Sequence, residues 1–121
     1  MKSCKRAQQV RLILEYHSFP LWICDEDGIL IETGMVDELA DDVWLEEQLR
    51  SIQAYYNGLF VDNKMEFSFV GVSDISEAKR FAEQVENVFQ YIQKRIGSIY
   101  TLRIDHVTWE DFIKDKKQGG D

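Results

Sequence analysis

The longest regular apolar pattern in the chain runs from Ser76 to Ile96. Its members recur every three or four residues: Ala78, Phe81, Ala82, Val85, Val88, Phe89, Ile92 and Ile96. This spacing predicts an amphipathic helix, which Asp74 or Ser76 can cap and Gly97 ends. An apolar face of this length must be buried against a second layer of structure, and the rest of the chain must supply that layer.

A β-hairpin is the second clear pattern, over residues 20–32. Leu21, Ile23, Ile29 and Ile31 alternate with Trp22, Cys24, Leu30 and Glu32, so the first arm is expected to be buried on both faces. Asp27-Gly28 between the arms is a pair that tolerates the positive φ angles of a tight turn. The run Asp25-Glu26-Asp27-Gly28 also resembles the start of a calcium-binding loop. A calcium loop needs further oxygen ligands after the glycine, and here another strand follows. We therefore predict a turn and no metal site.

Two further helices are predicted in the first half of the chain. Over residues 4–17, Ala7, Val10, Leu14 and His17 are separated by three, four and three positions, which favours a helix that ends at Ser18-Phe19-Pro20. A short turn at 36–40 is expected to precede the second, which begins near Asp41 or Asp42 as its N-cap. Asn57-Gly58 is expected to stop it in the left-handed conformation.

The remaining elements follow from shorter patterns. Strands are predicted within residues 59–73, with a turn at Asp62-Asn63, and over residues 99–107. A short helix capped by Thr108 is predicted at residues 108–113, followed by a frayed polar tail at 114–121. The order is α-ββ-α-β(β)-α-β-α, an α+β fold with three main helices and a four- or five-stranded, mostly antiparallel sheet. We predict one globular domain spanning residues 1–121.

The predicted hairpin resembles the opening hairpin of small sensory and scaffold domains of the PAS and roadblock types. The resemblance covers residues 19–33 and rests on the strand pair and its Asp-Gly turn. The predicted order of elements after residue 70 fits neither type. We assign the chain to no family from its sequence.

The acidic residues are unevenly distributed along the chain. The protein has 22 acids and 14 bases, a formal net charge of −8. No Lys or Arg occurs from Leu12 through Leu49, a window that contains 11 of the acids. The remaining 11 acids and all 14 bases give the rest of the chain a charge of +3. An acidic excess repels nucleic acids and anionic membranes, and it favours a basic partner or simply solubility.

Residues 37–47, here called the acidic segment, form the candidate functional site. Trp44 lies there among six acids: Asp37, Glu38, Asp41, Asp42, Glu46 and Glu47. Like charges four residues apart destabilise a helix by about 0.2–0.5 kcal/mol per pair. A solvated helix face is one interpretation; a surface for a basic partner, with Trp44 as its anchor, is a second. Hydrolytic or metal chemistry is a third. For Trp44 itself, the alternative interpretation is that its side chain covers the core.

No catalytic motif occurs in the sequence. Cys4 and Cys24 are expected to be free thiols in a reducing compartment. His17 and Cys24 could form a base and thiol pair if the first helix packed near the hairpin, although a cysteine in an apolar strand is usually inert. We predict no catalytic residue, no cofactor and no metal ligand.

These observations predict a small cytoplasmic binding protein, since the chain has neither a signal-peptide pattern nor a stretch able to span a bilayer. The main hypothesis is an inhibitor or immunity-type protein that masks a basic partner such as a nuclease. The alternative is a structural or regulatory subunit that self-associates, with the acidic segment serving solubility only. Neither hypothesis includes nucleic acid or membrane as a partner, and a homo-oligomer is compatible with both.

Overall fold

A computed structural model describes residues 7–63, 65–104 and 108–113. The elements in this part of the chain are β1 (Gln9–Leu12), β2 (Leu21–Cys24), β3 (Leu30–Thr33), α1 (Val43–Asn57), β4 (Phe60–Asp62), β5 (Phe67–Phe69), α2 (Ile75–Ile96) and β6 (Thr101–Ile104). Two 3₁₀ helices, Asp37–Leu39 and Trp109–Phe112, complete them. The fold is α+β, as predicted, although the described residues contain two α-helices and not three.

The main sheet has four strands in the order β3-β2-β1-β6. Its β1–β2 and β2–β3 pairs are antiparallel, whereas β1 and β6 run parallel, so the sheet is mixed. Strands β4 and β5 were expected to extend a single sheet, and they form a separate antiparallel pair instead. The prediction of a four- or five-stranded, mostly antiparallel sheet is therefore correct only in part.

The predicted helix over residues 4–17 is wrong for the residues that the structure describes. Residues 9–12 form β1, a central strand that pairs with both β2 and β6. Val10 and Leu12 are buried there, whereas Gln9 and Arg11 are only partly covered. The same residues satisfy a two-residue period as well as a helical one, and pairing with two distant strands selects the strand.

The two helices pack on the sheet face that carries the buried side chains of β1 and β2. The predicted helix at 76–96 is confirmed as α2, with Asp74 as its N-cap and Gly97 at its end. Helix α1 begins at Val43, and its N-cap is Asp42, one of the two predicted caps. It ends at Asn57-Gly58 as expected, but Gly58 has φ −69°, so the predicted left-handed stop is wrong.

The hairpin turn between β2 and β3 is confirmed. Asp25 is only 2% exposed, and its carboxylate accepts hydrogen bonds from the backbone amides of Asp27 at 2.8 Å and Ile29 at 3.0 Å. Gly28 has φ +81°, the left-handed conformation that glycine adopts without strain. Asp25 therefore holds the turn together, which explains its burial.

The shorter elements follow the predictions in outline. Asn63 closes the β4–β5 turn, because its side chain accepts hydrogen bonds from the amides of Met65 and Glu66. The predicted strand over residues 99–107 is observed at Thr101–Ile104, and its last three residues lie outside the described part, as does the predicted tail. The predicted helix at 108–113 is a 3₁₀ helix with Thr108 in a capping box.

Candidate functional site

The acidic segment lies at the start of α1 and is anchored by apolar side chains. Val36 precedes the first 3₁₀ helix, and Leu39 and Leu45 follow within and after it. These three residues are at most 5% exposed and belong to the main core. Because they point inward, the acidic residues between them are directed toward the surface or toward the edge of α2.

Asp42 is bound tightly within the fold. Its carboxylate caps α1 by accepting from the Leu45 amide at 3.0 Å. It also accepts from the Tyr91 hydroxyl at 2.6 Å and from the Arg95 guanidinium at 2.5 Å, and its side chain is only 9% exposed. The Tyr91 hydrogen bond, the Leu45 amide and the Arg95 charge lower the pKa of Asp42. The prediction that Asp42 contacts a partner therefore has little geometric support.

Glu38 connects the segment to α2 and to Tyr100, the residue immediately before β6. Its carboxylate accepts a hydrogen bond from the Tyr100 hydroxyl at 2.8 Å, and its backbone carbonyl accepts from Arg95 at 3.3 Å. Burial, together with the nearby Glu38 carboxylate, raises the pKa of Tyr100 to about 12. Glu38 is exposed in part, but its carboxylate is already used within the molecule.

Glu46 has a partner on its own helix. Its carboxylate accepts from Arg50, one turn later, through Nε at 2.9 Å and Nη2 at 2.7 Å. Such exposed pairs contribute little to stability, about 0.3–0.5 kcal/mol. Glu46 therefore remains accessible, although its charge is largely neutralised.

The other three acids of the segment have a different environment. Asp37, Asp41 and Glu47 are exposed, and their side chains form no hydrogen bond or ion pair with the described residues. Beside them, Trp44 is 49% exposed and Val43 is 66% exposed. We call these five residues the Trp44 surface.

Trp44 packs partly against the fold and partly faces solvent. One edge of its ring contacts Tyr91, with the ring centroids 4.8 Å apart and the planes at 64°. This contact orients the indole, and half of the side chain remains open to solvent. Val43 was not among the residues predicted for the site, although it precedes Trp44 in the first turn of α1.

A cleft of about 380 Å³ between α1 and α2 lies beside Trp44. Gln48, Gln84, Asn87 and Val88 contribute to its walls, and Gln84 donates to Gln48 across it at 3.4 Å. Sequence analysis did not predict this cleft, since it is formed by residues far apart in the chain. Its lining is polar, apolar and charged, since Arg80 and Glu83 also contribute to it.

The hypothetical base and thiol pair is not brought together. Cys24 pairs with Gln9 at one end of the β1–β2 ladder, and His17 lies in the loop beyond the other end, at Leu12 and Leu21. Those ends are about 10 Å apart along the strand. Cys24 is a free thiol that is 1% exposed, and burial raises its pKa.

The described residues also set limits on other kinds of site. Among them, no group of three or more His, Cys, Asp or Glu side chains is arranged to hold a metal ion. In residues 7–63, 65–104 and 108–113, no helix is long and apolar enough to cross a membrane. No protein-family model matches the sequence, and a search of the curated proteins finds no similar protein.

Proposed function

We propose that the protein binds a basic protein partner through the Trp44 surface, as an inhibitor or immunity-type protein. The observation that carries the proposal is the set of three exposed carboxylates, Asp37, Asp41 and Glu47, in the same short segment as a half-exposed Trp44. Contacts within the fold account for Asp42, Glu38 and Glu46. They do not account for the other three acids or for the exposed indole.

The chemistry of the surface suits a cationic partner. A tryptophan that is already oriented by a neighbouring ring loses little side-chain freedom on binding and can bury a large apolar area. Carboxylates at its rim accelerate association with a positively charged surface and select against acidic partners. In a nuclease, such carboxylates would lie where the phosphates of nucleic acid bind, and binding would then block the enzyme.

The test is affinity capture of the tagged protein from its native lysate at low and at high salt. The variant replaces Asp37 and Asp41 by Asn and Glu47 by Gln, and it leaves the structural Asp42 unchanged. A basic protein captured by the wild type, released by salt and lost with the variant would support the proposal. The matched control replaces the exposed Glu66, Glu86 and Glu110 by Gln, which removes the same charge at positions that do not line the cleft beside Trp44.

The alternative, a self-associating structural or regulatory subunit, is favoured by a different observation. On and beside β5, Met65 is 89% exposed, Phe67 56% and Phe69 39%. Apolar side chains this exposed commonly mark contact surfaces. If the capture returns only the protein itself, at both salt concentrations and with both variants, the inhibitor hypothesis is wrong and the subunit hypothesis is supported.

A further inference from the structure

Strand β3 forms one edge of the main sheet. It pairs with β2 on one side, and the part of the chain that the structure describes provides no strand on the other side. All four of its residues are exposed, unlike those of β1 and β2. An edge of this kind presents backbone amides and carbonyls that another extended segment can pair with.

The side chains along this edge are apolar to an unusual extent. Ile29 is 62% exposed, Leu30 44% and Ile31 41%. Proteins commonly protect an edge strand with lysine, proline or a bulge. Residues 29–35 contain neither lysine nor proline. A bulge is present at Ile31, because Ile23 pairs with Glu32 while Cys24 pairs with Leu30.

The opposite edge of the sheet, β6, has ordinary edge chemistry. Thr101 and Arg103 are exposed, and they alternate with the partly buried Leu102 and Ile104. The exposed positions of β6 are therefore polar, and one of them is cationic. The two edges differ in the kind of chain that each one would accept.

The charged side chains of β3 and of the turn before it are all negative. Glu26 and Asp27 are exposed in the turn, and Glu32 is exposed on the strand itself. The nearby cation that the pairing identifies is Arg11, which lies two strands away on β1, in the same cross-strand row as Trp22 and Thr33. A partner segment that pairs with β3 therefore binds more favourably when its side chains are cationic.

We propose that the β3 edge binds an extended segment of a protein partner in which apolar and cationic side chains alternate. The segment adds a fifth strand to the sheet, its apolar side chains pack on Leu30 or Ile31, and its cations approach Glu32. A second copy of this chain fits less well. Antiparallel pairing of two β3 strands brings the acidic turn of one copy beside the acidic segment of the other.

This inference goes beyond the Trp44 surface, which uses side chains of residues 37–47 and no backbone edge. One partner could engage both surfaces, or each could act without the other. The experiment must therefore report on the two surfaces separately.

The probe is a synthetic heptapeptide of alternating Lys and Val, titrated into the full-length protein and followed by NMR of the backbone amides. The expected result is a set of shifts at residues 29–33, together with slower amide exchange in β3. A peptide methylated at every backbone amide should bind at least about tenfold more weakly, because it lacks the donors for strand pairing along both of its edges. A matched Glu-Val peptide should not bind.

A pair of protein variants tests the position of the charge. Glu32→Lys should weaken binding of the Lys-Val peptide by about tenfold, because it places a like charge on the edge. Glu83→Lys changes the net charge equally on the exposed face of α2, and it should change binding by less than about twofold.

Three outcomes would overturn the proposal. Equal binding of the parent and methylated peptides would mean that charge alone drives the interaction. Shifts confined to residues 37–47 would contradict binding at β3 and leave the proposed role of the Trp44 surface intact. Protection of β3 amides that rises with protein concentration, without peptide, would identify a second copy as the occupant.

Discussion

The acidic segment and the β3 edge are adjacent in the chain, and both are exposed and acidic, yet they are attached to the fold differently. Through charged hydrogen bonds, Asp42 in the acidic segment contacts α2 and Glu38 contacts Tyr100, just before β6. Strand β3 is attached through its backbone ladder to β2. Acidic character alone therefore does not distinguish a structural carboxylate from one that is available to a partner.

Asp41 and Asp42, which are neighbours in the sequence, show this difference most clearly. Asp41 is exposed and has no hydrogen-bond partner for its carboxylate among the described residues, whereas Asp42 has Leu45, Tyr91 and Arg95. A partner that displaced the contacts of Asp42 would have to compensate for a helix cap and two further hydrogen bonds. Binding at Asp41 carries no such cost, which is why the proposed surface excludes Asp42.

The largest expected effect is on the stability of an Asp42→Ala variant. Loss of the helix cap and of the charged hydrogen bonds should lower the free energy of unfolding by about 2–3 kcal/mol. Asp41→Ala and Glu32→Ala should each change it by less than about 0.5 kcal/mol. Urea unfolding of the three variants measures these differences. Equal losses of stability in Asp41→Ala and Asp42→Ala would show that the contacts of Asp42 do not stabilise the fold.

A smaller effect is expected in the pH dependence of stability. The pKa of Asp42 lies below its ordinary value of 3.8 in the folded protein, so the unfolded chain binds the proton more readily. The stabilisation is complete above that ordinary value and is lost as the pH falls through the folded-state pKa. The free energies of unfolding of the wild type and of Asp42→Asn should therefore differ at pH 7 and converge toward pH 2. A difference that persists at pH 2 would show that the charge is not responsible.

The smallest expected effect is on the ionisation of Tyr100, whose hydroxyl contacts Glu38. Burial is the largest cause that raises the pKa values of Tyr55 and Tyr100 to about 12. The folded state keeps these protons longer than the unfolded chain, whose tyrosines ionise near pH 10, so their stabilisation is lost between pH 10 and 12. Absorbance titration should show two tyrosines ionising near pH 12, and Tyr100→Phe should remove one. If the ionisation that disappears in Tyr100→Phe lies near pH 10 instead of near pH 12, the contact is contradicted.

Local patterns were sufficient wherever an element depends on its own residues. The apolar face of α2 repeats over six turns, so its helical period cannot be confused with a strand. The Asp25–Gly28 turn depends on one carboxylate and one glycine within the same five residues. Asp42 was foreseen as a cap because an N-cap contact spans only three positions.

Local patterns were insufficient for β1. Four residues of alternating burial are too short to distinguish a strand from part of a helix, and the decision came from pairing with β2 and β6. Strand β6 is some 90 residues away along the chain. The separation of β4 and β5 from the main sheet was likewise unpredictable, because a strand pattern does not specify which sheet it joins.

The sequence by itself determined that this protein has an acidic N-terminal half, a long amphipathic helix, a hairpin and a helix cap at Asp42. These features arise from residues that are close to one another along the chain. Only the tertiary structure decided which acids are engaged and which remain accessible. Tyr91 and Arg95 lie 49 and 53 positions beyond Asp42, and their approach depends on how α2 packs against the start of α1.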